Sequence, residues 1–367
     1  MIYSYIIYLS MVLTSVFFAF FAQKYRRENK KKTVVPHPVF MFLSMLPLIF
    51  IMGFRDLSIG VDGYSYLSGY NYANSTTVFQ YYRTSVTEPG FYLLYRIAYL
   101  LGDFQWLLIF AATITIYFFY KSLSYEVNNI NFALIVFIFA TTQYFYYFGI
   151  MRMGIAAAII AFAYRYIIEN NKKKFILFML FATMFHYSAL FAILFLLLKK
   201  NKNNYFKKKN LLKLAIVIPI SFLVLKYLIY PFITADRYQN YIDSSEIISL
   251  GFVTTIPILG LFALHYNRFV KISYNFQFYF FLFVIKIVTE IFAPLIGIGR
   301  MVWYVNLSIC FLFPAIIKLN KDKGIKVILL AITILYCLMY SYLAYFGDSP
   351  RGQTMLPYRN LFFWFSK

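Results

Sequence analysis

Residues 3–22 read YSYIIYLSMVLTSVFFAFFA, and the next ten residues read QKYRRENKKK. The first stretch has no charged side chain, and about 20 apolar residues suffice for a helix to cross the hydrocarbon core of a bilayer. The second stretch carries six Lys and Arg residues. A long apolar helix that ends in a basic cluster is typical of a span whose charged end stays in the cytoplasm. Because no basic residues precede it, this stretch predicts a permanent first span and not a cleaved signal.

The rest of the chain repeats this alternation of apolar segments and Lys-rich clusters. Further apolar segments cover residues 38–54, 104–120, 131–148, 154–168, 175–198, 211–230, 251–266, 275–293, 301–317 and 327–346. Only 13% of the residues are charged and 62% are hydrophobic, whereas soluble domains carry about 25% charged residues. The composition excludes a water-soluble fold. It predicts an all-α polytopic integral membrane protein with a single transmembrane domain, residues 1–367, and about ten full crossings.

The basic clusters predict the orientation of the protein in the membrane. Under the positive-inside rule, cytoplasmic loops collect Lys and Arg, so the net charge of +22 sets topology and does not indicate nucleic acid. If the clusters face the cytoplasm, both termini lie outside, in the periplasmic or extracytoplasmic space. The predicted outside segments include the loops 55–103 and 231–250 and the tail 347–367, and we expect these three to form the substrate site.

One apolar segment, residues 175–198, has basic residues at both ends, at 172–174 and 199–213. A single crossing would place one of these clusters outside. We therefore predict a hairpin of two half-helices, 175–184 and 187–198, that turns near His186. Non-helical backbone at that depth requires cover from protein or a wet cavity. The alternative is that segment 154–168 does not cross.

The outside loops hold arginines and most of the acidic residues, whereas lysines concentrate in the cytoplasmic clusters. Topology does not need arginine in particular, and a guanidinium can bind two oxygens of a phosphate at once. The loop after the second apolar segment contains Arg55, Asp62 and Tyr66, among glycines and other tyrosines. It can be a substrate site or an ion-paired turn with an aromatic belt.

Four further positions combine polar chemistry with a break in the apolar pattern. Glu88 stands before Pro89 and is either a general base, a ligand of a substrate hydroxyl, or a helix-start carboxylate. Arg152 opens a helix of small residues and can bind a phosphate or reach out to the interface. His186 is either a hydrogen-bonded core residue or a catalyst. Arg300 begins another span behind two glycines.

The chain lacks a Walker loop, a zinc-spaced His and Cys cluster and a nucleophile elbow. We therefore expect no metal, no cofactor and no nucleotide. An enzyme facing outside the cell has no nucleotides available, so it would need a substrate that is already activated in the membrane.

Five motifs occur in the order seen in EpsG-like proteins, the Wzy-type polymerases of bacterial exopolysaccharide, capsule and O-antigen, and the chain resembles them from about residue 50 onward. They are Arg55-x4-Gly60-x-Asp62-x3-Tyr66, Glu88-x-Gly90, Arg152 before small residues, Phe185-His186-Tyr187-Ser188-Ala189 and Arg300-x3-Tyr304. The chain departs from the pattern at Met153 and Gly154, where the family usually has Arg-Gln.

This resemblance implies a glycosyltransferase of the inner membrane with a GT-C-like arrangement, metal-independent and inverting, whose site faces the periplasm. It would transfer a growing glycan from undecaprenyl diphosphate to an incoming lipid-linked repeat unit, among membrane lipids and with a chain-length regulator as a further partner. The first candidate for the base is Asp62, because an Asp in an early outside loop near a Tyr resembles the base position of lipid-dependent GT-C glycosyltransferases; Glu88 and His186 are the competing candidates. The resemblance also implies diphosphate or substrate ligands at Arg55, Arg152, Arg300, Tyr66, Tyr304 and Arg359.

Three other functions remain open on the sequence. A flippase for lipid-linked oligosaccharides would need charges along a route through the membrane, and an O-antigen ligase would use the same donor with another acceptor. A membrane acyltransferase is the third, because His186 fits that chemistry too.

Overall fold

The computed structural model of the chain describes residues 2–28, 34–85, 87–198, 208–224, 227, 250–292, 299–346 and 355–360. In chain order its helices are α1 (Ile2–Lys24), α2 (Pro38–Gly53), α3 (Gly63–Ser75), α4 (Val78–Thr84), α5 (Pro89–Leu100), α6 (Gln105–Leu123), α7 (Phe132–Thr142), α8 (Met151–Ile168), α9 (Lys172–Thr183), α10 (Lys208–Val224), α11 (Leu250–Phe269), α12 (Asn275–Phe292), α13 (Ser308–Leu319) and α14 (Lys323–Ser341). Shorter 3₁₀ segments are Ser124–Glu126, Tyr144–Phe148, Tyr187–Leu197 and Gly299–Tyr304, and a π-helical turn covers Tyr342–Phe346.

Five of the described helical segments are long and apolar enough to cross a membrane: Ile2–Lys24, Gln105–Glu126, Met151–Ile168, Asn275–Phe292 and Lys323–Phe346. Several shorter apolar helices accompany them. The prediction of an all-α, multi-pass membrane protein is therefore confirmed, apart from a two-residue antiparallel pairing of Arg27–Glu28 with Val34–Val35. The number of crossings, the side of the termini and the GT-C-like arrangement stay predictions.

Two predicted apolar segments have shorter α-helices than expected. The segment 131–148 is α-helical only to Thr142 and then continues as a 3₁₀ turn. The segment 301–317 begins with the 3₁₀ turn Gly299–Tyr304, and its α-helix starts at Ser308. Hydrophobicity alone cannot locate these changes, because an apolar run buries equally well in either helix type.

The chain divides into two compact units, and each is described by itself. The first comprises residues 1–163, 177–190 and 327–367, and the second comprises residues 164–176 and 191–326. The expectation of one transmembrane domain stays a prediction. In the first unit, α1 packs on α2 and α7, and α2 packs on α6. Ser15, Ala19 and Ser44 are fully buried, and small residues of this kind let membrane helices approach closely.

The apolar segment 175–198 is broken at the predicted place. Helix α9 ends at Thr183, and a 3₁₀ segment begins at Tyr187. At the far end, Leu196 and Leu198 line a small cleft together with Lys172, the first residue of α9. Leu196 and Leu198 therefore lie near the start of α9, and the hairpin across the membrane stays a prediction. The second half is 3₁₀-helical, a difference that the apolar pattern does not reveal.

The structure describes different fractions of the three segments that were predicted to form the substrate site. Loop 55–103 is described except for residue 86, and most of it is helical, in α3, α4 and α5. Loop 231–250 lies outside the described residues except for its last residue, and only residues 355–360 of the tail are described. This piece of the tail is fixed to the start of α1, because the Tyr358 amide donates to Ser4 Oγ at 2.9 Å.

Candidate active site

Glu88 is the centre of a buried polar cluster in the first unit. It lies immediately before α5, and its side chain is only 3% exposed. Arg152 Nη1 donates to Glu88 Oε2 at 2.8 Å, and His186 Nδ1 lies 2.8 Å from Glu88 Oε1. The amide of Tyr187 also donates to Oε1, at 3.3 Å. A buried carboxylate is tolerated when charged and hydrogen-bonding partners compensate for its lost hydration, and Glu88 has both.

A close backbone contact brings Glu88 and His186 together. The Gly90 amide donates to the carbonyl oxygen of Met184 at 2.7 Å. A Cβ atom on Gly90 would lie 2.8 Å from that oxygen, closer than real Cβ atoms come. Glycine at this position therefore lets the first turn of α5 touch the break between α9 and the following 3₁₀ segment. The motif Glu88-x-Gly90 contains this glycine, but the sequence does not predict what the glycine contacts.

Electrostatics keep Glu88 ionised. Burial by itself would raise the pKa of its carboxyl group. The hydrogen bond from His186 and the charge of Arg152 act in the opposite direction and hold this pKa below its ordinary value. Both carboxylate oxygens therefore act as hydrogen-bond acceptors at neutral pH.

Tyr66 and Asp62 extend the cluster from Arg152 toward solvent. Tyr66 is buried on α3, and its phenol interacts electrostatically with both Arg152 and Asp62. Burial raises the pKa of Tyr66, an effect that Arg152 opposes, so this phenol stays protonated. Asp62, which directly precedes α3, is partly exposed. Within the described part of the chain its carboxylate has no hydrogen-bond donor.

Arg55 occupies a different environment from the one predicted for a diphosphate ligand. Its guanidinium is buried and donates to the carbonyl oxygens of Ile59, at 3.2 Å, and Phe148, at 2.8 Å. It also donates to the Met52 carbonyl and lies 5.0 Å from the centre of the Phe148 ring. Because each of its three nitrogen atoms already donates to backbone, Arg55 is better explained as an anchor that joins the loop to the residues before α8.

The remaining predicted ligands are not brought to Glu88 by the described contacts. Arg359 has an exposed side chain, and its carbonyl oxygen accepts from the Asp56 amide at 2.9 Å, next to Arg55. Arg300 and Tyr304 belong to the second unit. Tyr304 is fully buried, and its carbonyl oxygen accepts from the Tyr164 hydroxyl. The side chain of Arg300 lies outside the described residues.

Two tyrosines at the edge of the cluster were not singled out by the sequence analysis. Tyr82 and Tyr187 are about half exposed. The phenol of Tyr82 interacts electrostatically with Tyr187 and with Glu88. The chain contains 36 tyrosines, so their residue type gave no signal, and only their position beside Glu88 distinguishes them.

Over the described ranges, the structure brings no three His, Cys, Asp or Glu side chains together as a metal site would require. The residues that do converge are Glu88, Arg152 and His186, with Tyr66 and Asp62 adjacent. A cationic guanidinium, an imidazole and carboxylates at one place can bind an anion and move a proton. The absence of a metal requirement stays a prediction.

Comparison with known proteins gives one family match. No curated protein and no solved structure matches the chain. The sequence model of the EpsG family matches residues 38–360, which includes every residue of the cluster around Glu88 and nearly all the described helices. The chain therefore belongs to the EpsG family.

Proposed function

We propose that this protein is an oligosaccharide repeat-unit polymerase. It transfers a growing glycan from undecaprenyl diphosphate to the terminal sugar of an incoming lipid-linked repeat unit, at the outer face of the bacterial inner membrane. Membership of the EpsG family supports a role in polysaccharide polymerisation. The observation that carries the proposal is the convergence of Glu88, Arg152 and His186 at 2.8 Å contacts, because this arrangement combines an anion ligand with groups that can move a proton.

Arg152 is the proposed ligand of the departing diphosphate. Its contact with Glu88 uses Nη1, and it also bonds to Tyr66. A guanidinium has five N–H donors, so further N–H groups can still donate to phosphate oxygens. The side chain is 16% exposed, so it borders solvent while its pairing with Glu88 holds it in place. A fixed cation near the oxygen where negative charge develops stabilises the transition state without reorganisation. For Arg300, the role of a diphosphate ligand stays a prediction that the resemblance of its motif implies.

Glu88 is not the proposed base. Both of its oxygens already accept hydrogen bonds, and its pKa is held below the ordinary value, so it is a weak proton acceptor. Asp62 and His186 remain candidates to deprotonate the acceptor hydroxyl. A direct displacement by that hydroxyl would invert the configuration at the anomeric carbon. The bond energy comes from the sugar–diphosphate link, which is consistent with a sequence that lacks nucleotide-binding motifs.

The test uses purified full-length protein in proteoliposomes that contain undecaprenyl-diphosphate-linked repeat units. We expect lipid-linked glycans of increasing length on a gel or by mass spectrometry. Substitution Arg152→Ala should abolish chain growth while the protein remains in the membrane. The matched control is Arg26→Ala, because Arg26 is exposed just after α1, outside the loops predicted to form the substrate site, and should leave chain growth unchanged.

The same assay separates the alternatives. Movement of the repeat unit across the bilayer without lengthening would indicate a flippase. Transfer only to a lipid A core acceptor would indicate a ligase. Either result, or normal chain lengths with Arg152→Ala, would overturn the proposal.

A further inference from the structure

We infer that Glu88 is a positioning residue that holds His186 with its proton on Nδ1, so that His186 Nε2 is the base that deprotonates the acceptor hydroxyl. This inference rests on the proposed function and names the residue that moves the proton.

The hydrogen bond between the two side chains runs from His186 to Glu88. Glu88 Oε1 lies 2.8 Å from His186 Nδ1 and is almost completely buried. An ionised carboxylate can only accept, so the imidazole must donate from Nδ1. In neutral imidazole the other nitrogen, Nε2, is then a proton acceptor. Glu88 thus selects the tautomer that is required of a base.

His186 is held at its backbone, and its imidazole ring is partly exposed. His186 lies in the break between α9 and the following 3₁₀ segment, where the Gly90–Met184 contact fixes the backbone. Its side chain is 27% exposed while that of Glu88 is 3% exposed, so the ring joins a buried anchor to a more open surface. A histidine base that is oriented by a carboxylate is the arrangement of Ser-His-Asp triads, in which histidine activates a hydroxyl.

Asp62 is less suited to this role on the same criteria. Its carboxylate receives no hydrogen bond from the described residues. The phenol of its neighbour Tyr66 interacts with Arg152 as well as with Asp62. Nothing among these contacts would hold Asp62 in one orientation toward an acceptor. Proton transfer requires a base in a defined position within hydrogen-bond reach, and His186 meets this requirement better.

The proton and electron balance of the step is complete with these groups. The acceptor O–H bond breaks and its proton passes to His186 Nε2, while the oxygen forms a bond to the anomeric carbon of the donor. The bond between that carbon and the diphosphate oxygen breaks, and its electrons leave with undecaprenyl diphosphate next to Arg152. The imidazolium that forms is paired with Glu88, and it returns its proton to water or to the leaving group.

The test begins with a measurement that does not depend on activity. The chain contains three histidines, so the variant His37→Gln/His265→Gln leaves His186 as the only one. Solid-state ¹⁵N NMR of this variant in lipid, recorded at alkaline pH where the imidazole is in its neutral form, should show protonated Nδ1 and unprotonated Nε2. The substitution Glu88→Gln should remove this preference and give a mixture of tautomers, whereas Arg152→Lys should leave it in place.

The second measurement is chain growth. We expect His186→Gln to lower kcat by about 10²–10⁴-fold and Glu88→Gln to lower it by at least 10-fold with little change in the KM for the acceptor. The inference would be overturned if the NMR signal of His186 shows the proton on Nε2 while Glu88 is still present. It would also be overturned if kcat for chain growth by His186→Gln lies within threefold of the parent value. If His186→Gln fails to fold, the NMR measurement of the His186 tautomer still tests the inference. If the unsubstituted protein shows no polymerisation, the proposed function fails, and the NMR result still reports whether Glu88 positions His186.

Discussion

Gly90→Ala tests whether the close contact between α5 and Met184 sets the geometry of the active site. A Cβ atom at residue 90 would lie 2.8 Å from the Met184 carbonyl oxygen and 3.1 Å from its carbon. Both are backbone atoms, so rotation of a side chain cannot relieve the contact. Ordinary contact begins at 3.4 Å, which requires the two segments to separate by about 0.6 Å. Overpacking of this kind costs about 1–3 kcal/mol.

The separation should lengthen the hydrogen bond between Glu88 Oε1 and His186 Nδ1 from 2.8 Å to about 3.4 Å, beyond the usual range for N–H···O bonds. A charge-assisted hydrogen bond contributes about 1.5–3 kcal/mol. If it holds the base in the transition state, its loss lowers the rate by about 10- to 100-fold.

The assay measures the initial rate of glycan lengthening by Gly90→Ala in proteoliposomes, normalised to the amount of folded protein. Gly260→Ala is the matched control, because a Cβ atom there meets nothing within 4 Å, and its rate should be unchanged. A Gly90→Ala protein with full activity and an unchanged His186 tautomer would refute the reasoning from this contact.

Three further substitutions test the roles of buried charges. Arg55→Met should lower the free energy of unfolding by at least about 3 kcal/mol, because three backbone carbonyls lose their donor. Arg359→Ala is the control and should have the same melting temperature in detergent as the parent. Equal melting temperatures for both variants would show that Arg55 is not an anchor. The folded-state pKa of Glu88 lies below the ordinary 4.5, so this group stabilises the fold above that pH, and the stabilisation is lost as pH falls through the lowered value. The melting-temperature gap between the parent and Glu88→Gln should therefore shrink as pH falls below 4.5 and through the lowered pKa, and a gap that stays constant there would contradict this. Lys286 donates to Glu290 at 2.6 Å inside α12. Lys286→Ala should therefore lower the free energy of unfolding by about 3–5 kcal/mol, and Lys286→Met combined with Glu290→Gln should lower it less. A larger loss in the double variant than in Lys286→Ala would show that the two residues do not act as a buried ion pair.

The residues that converge at Glu88 were all singled out from the sequence, where they were candidates for the base and for diphosphate ligands. Glu88, Arg152 and His186 each stood out because a polar residue interrupts or opens an apolar run. Arg55 stood out for the same reason, yet the structure surrounds it with carbonyl oxygens from Ile59 and Phe148. An anchoring arginine and a ligand-binding arginine have the same sequence signal at the end of a span, so only their contacts separate the two.

The sequence by itself determined that this protein is a helical membrane protein and where most of its apolar segments lie. Each segment is defined by its own residues, because transfer of a helix into a bilayer depends on local hydrophobicity and length. The break near His186 was predictable for a related reason, since the basic residues on both sides of segment 175–198 oppose a single crossing.

Only the tertiary structure decided which polar residues act together. Glu88 is 64 residues from Arg152 and 98 residues from His186 along the chain. Their contacts depend on how α5, α8 and the break after α9 pack, and on a glycine that permits backbone atoms to touch. Such pairings are properties of distances between helices, and no local pattern of hydrophobicity or charge contains those distances.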